Sequence, residues 1–221
     1  VFFGSRRPDD GGADLGHVEL RDEAAPDFGL PGLDTLVVGS GHSALNALID
    51  LARLKADEPK TRVLWALRKA NVEEAYGGEE ADQLQARGAL GSAARHLVES
   101  GAVEVVTPFR VQRVDRGCCG LKVVGDHDGS EKHIATDEII VATGFRPDLT
   151  FLRELRLTLD PWLESSGTIG PLIDPNLHSC GTVRPHGAAE LAHAEPGFYI
   201  AGMKSYGRAP TFLLATGHEQ V

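Results

Sequence analysis

The sequence predicts an α/β fold in which a parallel sheet is followed by an antiparallel meander. Three observations carry this reading. The stretch "TLVVGSGHSALNALIDLARL" (35–54) runs from an apolar strand through a glycine turn into an amphipathic helix. "TRVLWALRK" (61–69) returns as a second strand and closes a βαβ unit of about 30 residues, which calls for parallel strands. Further on, "RVQRVDR", "GLKVVGD" and "EKHIATD" are short alternating segments, with glycine at the breaks between them, the pattern of antiparallel hairpins.

The elements follow in order. Residues 1–33 contain "PDDGGAD" and "PDFGLPG" and read as a linker or irregular approach, since such clusters punctuate structure. Asp34 to Val38 is the first strand and Ser43 to Leu54 the first helix. Ala44, Leu45, Leu48, Leu51 and Ala52 recur there at spacings of three and four, which forms one apolar stripe. "KADEP" breaks the pattern, and Arg62 to Arg68 is the second strand. The polar "ANVEEAYGGEEADQL" (70–84), with Gly77 and Gly78, reads as a mobile connection. "ADQLQARGALGSAARHLVESG" is helical, and Gly101 is its C-terminal stop. "AVEVV" is a third strand. After the meander, "EIIVATG" is a buried strand ending at Gly144. Beyond Phe145, "FLRELRLTLDPWL" reads as a short helix with an irregular tail, "GTIGPLIDPNLHSCGTVRPHG" as loop-rich with room for short strands, "GFYIAG" as a buried strand, and "APTFLLATGHEQV" as the opening of a helix. The expected division is 1–33 as approach segment, 34–144 as one domain and 145–221 as a second, partial one.

Composition narrows the function classes. With 42% hydrophobic residues among 221, a sizeable core is within reach. A net charge of −10 argues against a general nucleic-acid binder, which needs a basic surface. No run approaches the ~20 apolar residues of a membrane span, so no membrane partner is expected. "VFFGSRRPDD" places apolar residues before its arginines, the reverse of a secretory leader. The three cysteines, Cys118, Cys119 and Cys180, fit a reducing cytoplasm. The chain lacks an initiator Met and stops inside a helix-like stretch, so it is expected to be an excerpt of a longer protein.

The glycine turn carries the chemistry. Gly39-Ser40-Gly41-His42-Ser43-Ala44 is a G-x-G-x-x-A motif between strand and helix. Gly39 allows the tight turn, Gly41 lets backbone approach a pyrophosphate, and Ala44 lets the helix pack closely on the strand. The helix start then offers amides and a positive dipole end to phosphate oxygens. Between this strand, helix and second strand, the motif reads as a Rossmann-like dinucleotide unit; the bland alternative is an ordinary βα turn. At the end of the second strand, where an NAD-binding unit carries Asp or Glu, this chain has Arg68-Lys69. Two cations suit the 2′-phosphate of NADP; the bland alternative is that they are solvated at a strand end. His42 either donates to phosphate or faces solvent.

"VATGFRPD" (141–148) resembles the A-T-G-x-x-P signature of two-dinucleotide flavoproteins, the group of thioredoxin-reductase-like enzymes and flavin-containing monooxygenases. In that family an NADP domain is inserted into an FAD domain, and Ala142, Thr143 and Gly144 would mark the return from one to the other. The order of motifs matches over residues 34–147. "GFYIAGMKSYGRAPTFLLATGHEQV" (197–221) resembles the family's C-terminal FAD segment. The resemblance implies that Gly202, Met203, Arg208, Pro210 and Thr211 lie along the ribityl chain and flavin ring. Met203 stands where the family often has Asp; either Lys204, Ser205 or Arg208 replaces that contact, or FAD is held differently here. The family's first G-x-G-x-x-G, for the ADP part of FAD, has no counterpart in residues 1–33.

The resemblance therefore implies NADP(H) and FAD as cofactors, and an NADPH-dependent flavoprotein oxidoreductase seen in part. Hydride passes from NADPH to FAD and then to oxygen, as in a monooxygenase, or to a small acceptor. No C-x-x-C follows the glycine motif, as a dithiol relay would need, which argues against thioredoxin reduction. The competing readings are a non-catalytic NADP-binding or redox-sensing module and a Rossmann reductase without flavin. No catalytic side chain is assigned. His178, Cys180 and His186 read as a polar loop rather than a metal site. The expected partner is a small-molecule substrate or oxygen, and a homodimer is a compatible assembly.

Overall fold

The computed structural model describes residues 2–4, 32–79, 85–117, 120–178 and 182–221. All three cysteines lie outside these residues. The chain divides into two compact units, Val1–Thr143 and Gly144–Val221.

The first unit is built on a five-stranded sheet. Its strands are β1 (Phe2–Gly4), β2 (Asp34–Val38), β3 (Arg62–Ala66), β4 (Glu104–Val106) and β8 (Glu138–Val141), in the order β1-β8-β2-β3-β4. β8, β2, β3 and β4 are parallel, with Val38 opposite both Ala66 and Val141. β1 pairs antiparallel with β8 at the edge. This corrects the reading of residues 1–33 as wholly irregular. Three residues are too few to show a period of two, so only an available sheet edge reveals such a strand.

Alternation along the central strands sorts the core into two layers. Val37, Trp65 and Ile140 face the helices α1 (His42–Asp57), α2 (Glu73–Tyr76) and α3 (Gln85–Glu99). Leu36, Leu64, Ala66 and Ile139 face Phe109, Leu121, Val123 and Ile134 of the meander and its approach. That meander is a separate antiparallel sheet of β5 (Arg110–Gly117), β6 (Gly120–His127) and β7 (Ser130–Thr136). Because the strands are covered on both faces, they read as continuous apolar runs.

Helix α1 is longer at each end than the apolar stripe implies. Helix α3 stops where Gly101, at φ +74°, turns back and donates to Val98 O. In the connection after β3, described up to Glu79, two residues join the core. Ala75 and Tyr76 are buried, the Arg95 guanidinium stacks 4.7 Å from the Tyr76 ring, and Arg95 Nε donates to Glu79 at 3.0 Å. Its polar composition hid two core residues.

The second unit is mostly turns. It contains α4 (Gly170–Ile173), α5 (Ala188–Leu191), α6 (Leu214–Gln220) and 3₁₀ turns at Thr150–Leu152 and Gly202–Tyr206. Ile169, Ile173, Leu191, Tyr206 and Ala209 form its core. "FLRELRLTLDPWL" gives only the first 3₁₀ turn. "GFYIAG" is not a strand: Tyr199 makes a single bridge, with Ala192. A buried strand needs continuous partners for its backbone groups, and the described residues of this unit provide none.

Candidate nucleotide site

The glycine turn sits at the carboxyl edge of the parallel sheet, where the chain order reverses. β3 lies on one side of β2 and β8 on the other. A crevice at such a switch point is where open α/β sheets bind ligands. Gly39 adopts φ +132°, which a side chain disfavours, and a Cβ there would stand 2.2 Å from Ala142 O. Its N–H donates to Ala66 O at 3.2 Å, and its carbonyl accepts from Trp65 Nε1 at 2.7 Å. Gly41 is the N-cap of α1, with ordinary extended angles. Nothing lies within 4 Å of where its Cβ would stand. No acidic residue occupies the first turn of α1, so no carboxylate in that turn offsets the positive helix end. Ser40 is half-buried, His42 and Ser43 are exposed, and Ala44 is fully buried against the sheet.

Two further predicted positions share this edge. Ala142 follows β8, donates to Val38 O at 2.8 Å and leads into Thr143. Arg68 stands two residues beyond β3 and is exposed. It has no ion pair or hydrogen bond among the described residues. Lys69 differs: its Nζ donates to Glu74 O and its carbonyl accepts from Thr107 Oγ1. The ammonium is held by the loop it anchors. Of the two cations expected at the 2′-phosphate, Arg68 is the one presented to solvent. A tight glycine, an open glycine, a helix end and an exposed arginine stand together on this edge.

In the second unit, Gly144 (φ +87°) and Gly202 (φ +71°) both have open space where a Cβ would stand. Gly202 N–H donates to Gln220 Oε1 at 2.8 Å. Met203, Arg208 and Pro210 are exposed. Thr211 is buried, and its hydroxyl donates to Ile173 O at 2.9 Å. Ser205 is also buried and donates to Gly202 O at 2.7 Å. The polar side chains still presented are Lys204, whose Nζ reaches Asp148 O at 3.0 Å, and Arg208. The open backbone at Gly202 suits a flavin segment, while the hydroxyls of Ser205 and Thr211 serve the fold.

Trp65 escaped sequence reading at this site, and His186, read as part of a polar loop, is instead a core residue of the second unit. Trp65 looks like any strand residue until its indole is seen on the motif carbonyl. A tryptophan on the helix-facing side of the strand after a glycine motif is the available signal. His186 is buried with its Nδ1 3.3 Å from the Tyr206 hydroxyl. Burial holds its pKa below the ordinary 6.5 and pushes the Tyr206 phenol up to about 12. A histidine kept neutral in the folded chain but protonated when unfolded stabilises fully above its unfolded pKa. That contribution is lost as pH falls below 6.5. His193, also depressed by burial, acts in the same direction. Thermal unfolding of the chain is expected at progressively lower temperature from about pH 7 to about pH 5, with a shallower slope in His186→Phe. An identical slope in wild type and variant would remove His186 from the account.

The fold and its glycine turn define a dinucleotide-binding α/β protein. The family model for pyridine nucleotide-disulphide oxidoreductases matches residues 33–164, more than half of the chain, and the chain belongs to that family. Among solved structures it is similar to the bacillithiol disulfide reductase of Bacillus cereus, at 16% identity and TM-score 0.56, over 81% of this chain and 44% of that one. The Staphylococcus aureus bacillithiol disulfide reductase matches at 15% and 0.57, over 85% and 47%. The thioredoxin reductase of T. acidophilum matches at 14% and 0.50, over 86% and 49%. The chain thus spans just under half the length of these structures, and identities this low establish the shared fold. A comparison with curated protein sequences gives no significant match. No helix among the described residues is long and apolar enough to cross a membrane.

Proposed function

We propose that this chain binds NADP(H) within an FAD-dependent oxidoreductase, in which hydride from the nicotinamide passes to the flavin and on to oxygen or a small acceptor. Residues 34–144 form the NADP-binding domain, and residues 145–221 supply the C-terminal segment of the flavin domain. FAD, where bound, supplies the electron-accepting chemistry; the residues of this chain hold and orient the nucleotide. Membership of the family supports the pairing of flavin and pyridine nucleotide.

The observation that carries the cofactor choice is Arg68, exposed and uncommitted among the described residues, on the same sheet edge as the Gly39–Ala44 turn. No carboxylate stands between Arg62 and Val72 to bond a ribose or repel a phosphate. A guanidinium suits a phosphate dianion better than an ammonium, because its fork donates two parallel bonds. Arg68→Ala is therefore expected to weaken NADPH binding about tenfold or more, from the loss of a charge-assisted pair, and to leave NADH binding unchanged. Calorimetric titration with each nucleotide checks this. Equal loss for both would take Arg68 out of the 2′-phosphate site. The visible spectrum of the purified chain with added FAD tests the flavin segment: a bound flavin band bleached by NADPH supports the oxidoreductase reading. Nucleotide binding without flavin would favour a binding module.

A further inference from the structure

We propose that Trp65 is a positioning residue for nucleotide binding, a role that rests on the nucleotide-site reading above. Its indole N–H fixes the Gly39–Ser40 peptide and thereby directs the Ser40 amide toward a bound pyrophosphate. Trp65 is fully buried in the layer between sheet and helices. A buried indole N–H requires an acceptor, and here the acceptor is the carbonyl of the first motif glycine, 2.7 Å away. The same glycine donates to the next residue of β3, Ala66, at 3.2 Å. β3 therefore grips Gly39 twice, once by side chain and once by backbone.

The consequence follows from peptide geometry. The bond between Gly39 and Ser40 is trans, since the only cis bond among the described residues is Thr107–Pro108. In a trans peptide the carbonyl and the following N–H point in opposite directions. With the Gly39 carbonyl turned inward to the indole, the Ser40 N–H turns outward. It has no hydrogen-bond partner among the described residues, and the space above the neighbouring Gly41 is open. Glycine is permissive enough for this peptide to flip. A flipped peptide would present its carbonyl oxygen to the phosphates and leave the buried indole without an acceptor. Trp65 opposes that flip, and it is itself held: its ring lies 6.3 Å from Tyr76, which Arg95 covers on its way to Glu79. The loop that follows Arg68 is thus packed against the residue that orients the phosphate turn.

The test is site-specific replacement of Trp65 in the full chain by 3-benzothienylalanine, which keeps the ring shape and puts sulfur in place of the N–H. Trp65→Phe is the genetically encoded companion. Affinity for NADPH and NADH, by calorimetric titration, is expected to fall about three- to tenfold for both alike, the worth of one hydrogen bond. Without nucleotide, amide hydrogen exchange across residues 39–45 is expected to accelerate. Unchanged affinity in the isostere would overturn the positioning role, including the case where exchange alone accelerates, which would make Trp65 an anchor of the turn only. A loss confined to NADPH would also overturn it, because the Gly39–Ser40 peptide serves the pyrophosphate common to both. Failure of the wild-type chain to bind either nucleotide would overturn the nucleotide-site reading itself and this role with it, and the exchange comparison would still show whether Trp65 holds the turn.

Discussion

Gly39→Ala is expected to destabilise the first unit by at least about 3 kcal/mol, the sum of backbone strain and overpacking. Two independent obstacles meet at this residue. Its φ of +132° lies where residues with a side chain are rarely found, and the new methyl would stand 2.2 Å from Ala142 O and 2.6 Å from the carbonyl carbon. The atoms in the way are backbone, so no rotamer change relieves the overlap. Relief requires the ends of β2 and β8 to separate, although Val38 and Val141 face one another there and Ala142 N–H donates to Val38 O at 2.8 Å. A cost of that size lowers the thermal midpoint of a domain this large by about 6–12 °C. Urea unfolding followed by circular dichroism measures it. A midpoint equal to wild type would mean that the turn is not built as described. Nucleotide binding should fail together with stability, which distinguishes this glycine from the next one.

What could be read from the sequence follows from how local the physics is. β2 and β3 were bounded closely because an apolar run between polar turns is a local signal, and the glycine motif stood out because strand, turn and helix are contiguous. The meander was legible for the same reason, since each hairpin closes within a few residues. Contacts between distant residues left no such trace. The Trp65–Gly39 bond joins residues 26 apart, and Phe2–Gly4 pairs with a strand more than 130 residues later. Arg68 and Lys69 were indistinguishable as neighbouring cations until the fold committed Lys69 to the carbonyl of Glu74. In the second unit the stretch from Gly167 to Gly187 reads as loop-rich, and its described residues hold only the one turn of α4. The buried strand expected there, "GFYIAG", had the composition of a strand and lacked its neighbours. Thr211 was placed along the flavin by motif position, whereas its hydroxyl points to Ile173, a contact that depends on the packing of α4.

Gly41→Val is expected to leave the fold nearly intact and to weaken NADPH and NADH binding about 100-fold or more, the worth of two charge-assisted bonds to phosphate. The two glycines of the motif differ in what surrounds them. Gly41 has φ −91° and ψ 178°, angles that valine adopts without strain. Nothing within 4 Å would meet a Cβ, so the branch point meets no protein atom. The N-cap position is exchanged for a poorer residue, at a cost of about 1 kcal/mol, which an urea titration would show as a small shift. The volume that valine fills is the space that the outward amides and the positive end of a 16-residue helix leave for an anion. Branching at Cβ keeps that volume filled in every rotamer, so the phosphates cannot approach the backbone. Circular dichroism and the unfolding midpoint serve as the control for folding, and calorimetric titration with each nucleotide gives the result. Native-like stability with binding lost for both nucleotides would locate the pyrophosphate over the turn. Native-like stability with binding retained would mean that the phosphates lie elsewhere on the sheet edge, and the assignment of Gly39–Ala44 would have to be given up.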